Sequence, residues 1–144
     1  NYCDFYMNWN YLDFKKFTID TGCDGAIPCY TGFHPHLLHE NNLYASCRVN
    51  KKMRLLEIKE KFSFDSNKFK TYHSAGNYYF KNGSILKLYC KKLIQKKESL
   101  NGEYYASLVY NNMCKDGLST LIYDKINHFC QWGTPFDLEE YNYW

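Results

Sequence analysis

No run of eighteen apolar residues occurs in this 144-residue chain, so the sequence predicts no membrane-spanning helix. It also starts without the charged and apolar segments of a secretory leader, so an exported form would already have lost one. Valine and alanine are scarce, and there is no low-complexity linker. Catalytic signatures are missing too: no Gly-x-Ser-x-Gly, no phosphate-binding glycine loop and no His-Glu-x-x-His. The expectation from these absences is a binding protein, not an enzyme, with no cofactor.

What the chain does contain is seven cysteines and fifteen tyrosines. Cys3, Cys23, Cys29, Cys47, Cys90, Cys114 and Cys130 are dispersed, not grouped as C-x-x-C pairs, which favours disulfide staples in a secreted domain over a metal site. The odd number predicts one cysteine, Cys3 or Cys29, left free or paired with another chain. Asn82-Gly83-Ser84 has the form of an N-glycosylation acceptor, with Asn82 as the attachment point. The one polar cluster, His34-Pro35-His36 with His39 and Glu40, reads as a surface loop because Pro35 breaks both regular geometries that could gather metal ligands.

Charge is uneven. Residues 51–97 carry thirteen bases against three acids, while both ends are acidic. The basic stretch offers a polyanion contact for a glycosaminoglycan or nucleic acid.

Local patterns predict a mainly β fold: small, disulfide-stapled antiparallel β structure with little helix. Asn82-Gly83 between Tyr78–Phe80 and Ile85–Cys90 reads as a tight hairpin turn. Asp116-Gly117 between Tyr104–Tyr110 and Leu121–Tyr123 predicts a second. Met53–Phe64 alternates as a strand, although Lys51–Lys61 is also the best helical stretch, followed by Phe136–Tyr141. The organisation expected is an aromatic, Cys-containing N-terminal subdomain or cap over 1–46, then a β module over 47–144 with an acidic aromatic tail.

Residues 47–130 resemble a complement control protein (sushi) module through the order of Cys47, Cys90, Cys114 and Cys130, the extended Gly83-to-Cys90 stretch and the turn after Cys114. Ser74-Ala75-Gly76-Asn77-Tyr78 is similar to the atypical modules of immunomodulators secreted by parasitic nematodes. The resemblance implies Cys47–Cys114 and Cys90–Cys130 disulfides and an extracellular host partner, a cytokine, cytokine receptor or complement protein. The residues expected to meet it are Tyr78, Tyr79, Tyr104, Tyr105 and Tyr110, as aromatic anchors, with Lys87, Lys91 and Lys92 steering the encounter. A structural coat protein is a further alternative.

Overall fold

Asparagine starts two of the helices. In the computed structural model, which describes residues 3 to 143, Asn10 Oδ1 accepts from the amides of Leu12 and Asp13 at 3.0 and 3.2 Å. Asn82 Oδ1 accepts from the amide of Ile85 at 2.9 Å. Each side chain satisfies amide donors that a helix start leaves without partners. Gly22, at φ 59°, then ends the first helix in the left-handed conformation that glycine adopts at little cost.

The elements run β1 (Phe5–Asn8), α1 (Tyr11–Thr21), β2 (Gly25–Tyr30), β3 (Ser46–Val49), β4 (Leu55–Lys59), β5 (Tyr72–Ser74), β6 (Tyr79–Phe80), α2 (Gly83–Gln95), α3 (Val109–Lys115), β7 (Thr120–Tyr123), β8 (His128–Gln131) and α4 (Pro135–Tyr143). β1 and β8 form an antiparallel pair. The other six strands make one mixed sheet in the order β4-β3-β5-β2-β6, with β7 parallel to β2 on its other edge. All six residues of β2 are buried, as a central strand covered on both faces requires.

Strand alternation sends successive side chains to opposite faces. Ile27, Cys29 and Ile122 pack with Tyr89 and Leu93 of α2 and with Val109, Tyr110 and Met113 of α3. Ala26, Tyr30 and Tyr123 face the opposite way, onto Phe14 of α1, Met7 of β1 and Phe129 of β8. The result is a layered α/β arrangement with the sheet in the middle. Gly25 is required by a close approach: a Cβ there would stand 2.7 Å from Tyr110 Cε1. The Tyr110 hydroxyl crosses the layer boundary to donate to Ala26 O at 3.2 Å and Tyr79 O at 2.6 Å.

These observations correct the expectation of a mainly β, disulfide-stapled domain with little helix. Asn82 and Gly83 open α2 where a hairpin was expected, because Ile85, Tyr89 and Leu93 recur at the spacing of one helical face and all three reach the core. Tyr104–Tyr110 is not a strand: a tight turn over Ala106–Leu108 leads into α3. Gly117 does reverse the chain, at φ 81°, but between a helix and a strand. The strand reading of Met53–Phe64 corresponds to β4, the helical reading of Lys51–Lys61 does not, and Phe136–Tyr141 falls inside α4.

All seven cysteines are free thiols. Cys47 and Cys114 both border the core between sheet and helices, where the Cys114 sulfur lies 3.0 Å from Thr120 Oγ1. Cys90 belongs to α2, packed on α3, while Cys130 belongs to β8, paired with β1. Burial of the thiol in an apolar interior, not cross-linking, explains Cys23, Cys29 and Cys47, while Cys90, Cys114 and Cys130 are half-buried and Cys3 is exposed. β2 comes from within residues 1–46 and bonds to β5, β6 and β7, so the first and second parts of the chain share one sheet.

Candidate functional site

Three strands of the mixed sheet reach one end together. β3 begins there at Ser46, β4 ends at Lys59 and β5 ends at Ser74, with Ser46 paired to both Lys59 and His73. The residues just beyond these ends face the β1–β8 pair across a cavity of about 210 Å³. Glu60, Ala75, Gly76, Tyr78, Asp4 and Gln131 are among its lining residues, with Phe5, Tyr44, Tyr105 and Phe129 completing the aromatic wall. Sheet ends are a recurrent place for ligand sites, because loops there present side chains from a rigid frame.

Each polar group is held by local chemistry. Gly76, at φ 73°, turns the chain after β5, and its amide donates to Ser74 Oγ at 3.2 Å. Ser74 Oγ in turn donates to the Tyr78 hydroxyl at 3.2 Å, fixing that ring at the wall. Gly133 lets Asp4 and Gln131 converge, since a Cβ there would stand 2.8 Å from both Asp4 Oδ2 and Gln131 Nε2. The Glu60 carboxylate accepts a hydrogen bond from Ser107, whose side chain is wholly buried. Burial pushes the Glu60 carboxyl above its ordinary range, against the lowering by Ser107 and Lys61.

Lys61 follows directly and has φ 52°, a left-handed backbone that a side chain-bearing residue rarely adopts. Its ammonium lies 6.0 Å from the centre of the Tyr105 ring, which places a positive charge at the cavity rim. The site therefore has carboxylates and an amide inside, aromatic walls and a cation at its edge.

A larger cavity, about 570 Å³, lies between β8 and α4 and shares Phe129 and Gln131 with the first. Two of its ionisable groups, His36 and Asp137, are already engaged. His36 Nε2 is 2.8 Å from the buried Tyr30 hydroxyl, and burial lowers the His36 pKa to about 3, keeping it neutral. Asp137 accepts from the amide and hydroxyl of Thr134 at 3.0 and 2.7 Å, closing a capping box at the start of α4. The smaller cavity is the better candidate for chemistry because it gathers two carboxylates, Asp4 and Glu60, and the Gln131 amide at a sheet end, with Lys61 at its edge.

The His34–His36 segment is not the surface loop expected: both rings are buried against Tyr30, at 4.6 and 5.6 Å between centres. Among the described residues no group of three or more His, Cys, Asp or Glu is arranged to hold a metal ion.

The structure divides the residues predicted to bind a partner. Tyr78 and Tyr105 line the small cavity. Tyr110 is fully buried, and Tyr79 packs edge-on against Phe14. Tyr104 is exposed, as are Lys87 and Lys91 on α2, while Lys92 binds Asp116. Leu88 is exposed on the same helix as Lys87 and Lys91. Asp4, Glu60, Gln131 and Gly133 escaped the sequence reading, while Lys61 entered it only as one base of the segment 51–97 and Gly76 only within the resemblance. The adjacent Glu60-Lys61 at the end of an alternating strand was the available signal.

No family model matches the chain, and no curated protein matches it in sequence. In structure the chain is similar to the nucleoside-diphosphate-sugar pyrophosphorylase from Vibrio cholerae RC9, with a TM-score of 0.73 at 16% identity. The match covers 98% of this chain and 53% of that one, so the chain spans about half the length of this neighbour. The likeness establishes a fold that an enzyme uses. With the free thiols, it overturns the reading as an immunomodulator built on a disulfide-stapled β scaffold, because that scaffold is absent and an α/β fold stands in its place.

Proposed function

We propose that this chain is the sugar-phosphate-binding part of an enzyme acting on nucleoside-diphosphate sugars. The observation that carries the reading is the cavity at Glu60 and Lys61, set at a sheet end of a fold shared with a nucleoside-diphosphate-sugar pyrophosphorylase. Its interior suits a polyol: Asp4 and Glu60 accept hydrogen bonds from hydroxyls, and Gln131 both accepts and donates. Its volume of about 210 Å³ is below the roughly 300–1,000 Å³ typical of pockets for larger ligands, which suits a single ring. Lys61 at the rim meets the negative charge of a phosphate held outside. The chain has no glycine-rich loop to cradle phosphates, so the nucleotide contact belongs to structure beyond this site.

Calorimetric titration with sugar 1-phosphates, nucleoside-diphosphate sugars, free sugars and inorganic phosphate tests the reading. Sugar phosphates should bind, and Lys61→Ala should weaken them about tenfold, the size of one charge-assisted contact. Binding of inorganic phosphate alone, or of no sugar phosphate, contradicts it.

A further inference from the structure

The charge inside the small cavity is opposite to that of the molecule around it. The chain as a whole carries a formal charge of +3, and residues 51–97 are strongly basic. Yet the cavity lining includes two carboxylates, Asp4 and Glu60, and no lysine, arginine or histidine. Five aromatic rings, Phe5, Tyr44, Tyr78, Tyr105 and Phe129, stand around those carboxylates. An aromatic face carries negative charge density, so rings and carboxylates together favour a cation and disfavour an acid. A base, Lys61, lies outside at the Tyr105 rim.

We infer that the preferred ligand is bipolar, with an ammonium group inside the cavity and a phosphate at the rim. This inference rests on the proposed site and narrows its substrate class to ammonium-bearing phosphate esters. An amino-sugar phosphate supplies that chemistry, and so does a phosphorylated amino alcohol. A sugar acid is excluded, because its carboxylate would face Asp4 and Glu60 without a counter-charge. Glu60 has the geometry to sense the ammonium directly. Ser107 orients its carboxylate, and a bound cation would favour its ionised form against the burial that opposes it.

The test compares glucosamine 1-phosphate with N-acetylglucosamine 1-phosphate, glucose 1-phosphate, glucuronic acid 1-phosphate and phosphocholine, by calorimetry on the full chain. The ammonium-bearing sugar should bind about tenfold tighter than its neutral acetylated form, and the acid should not bind measurably. Glu60→Gln should remove most of that preference. Tyr105→Leu, which keeps an apolar wall without a π face, should weaken it by a smaller factor and serves if Glu60→Gln fails to fold. Equal or tighter binding of the neutral sugars overturns the inference while leaving the sugar-phosphate reading intact. Binding of phosphocholine with no sugar phosphate bound keeps the ammonium inference and overturns the sugar reading. Binding of none of the five overturns both.

Discussion

Glu60 shows how one side chain joins stability to binding. Its carboxyl is raised above the ordinary glutamate range chiefly by burial. A group whose folded pKa is raised favours the fold while protonated, so its contribution is present at acid pH and is lost as pH rises through the folded value. Glu60→Gln should therefore melt at or above the wild-type temperature at pH 7, with the difference shrinking near pH 4, while ligand binding falls. Melting curves at the two pH values check this. A variant less stable at pH 7 than at pH 4, relative to wild type, would mean that the Ser107 hydrogen bond outweighs burial. None of this was legible in the sequence, because Glu60 and Lys61 read as two charges on a strand until the turn after β4 brings them to Tyr105.

At the scale of elements, the same residue types support different structures in different surroundings. Asn82-Gly83 satisfies the rules for a hairpin and those for a helix start equally well. What decides is the far side of the segment: Ile85, Tyr89 and Leu93 bury one face against α3 and the sheet. A short window ending at Cys90 shows alternation and hides this. Asn82→Ala should cost about 1 kcal/mol through loss of the cap, read by urea denaturation. Gly25→Ala should cost about 1–3 kcal/mol, because its Cβ would overlap Tyr110 and Met113 in a strand that is fully buried. Unchanged stability in the Gly25 variant would mean that α3 does not pack on β2 as described. The sequence offers the helix over Phe136–Tyr141 only as a shorter second choice, and the structure shows that Thr134 and Asp137 form a local capping pair at its start that needs no distant partner.

Across the whole molecule, the sequence revealed strand segments and turns but not the layering, since the β2–β7 pairing joins residues nearly a hundred positions apart. The cysteines misled for a related reason. Dispersed along the chain, they look like staples, yet Cys29 and Cys47 lie 3.8 Å apart as thiols within a packed core that has no need of a cross-link. Thiol titration of the denatured chain without reductant should return all seven. Recovery of three or fewer would restore the stapled fold. The central claim is that the ligand enters between the sheet end and the β1–β8 pair. Backbone amide shifts on adding glucosamine 1-phosphate test it most directly. The account predicts that the largest changes fall at residues 4–5, 44–45, 60–61, 75–78, 105 and 131. Shifts confined to α4 and His128, around the larger cavity, would contradict it.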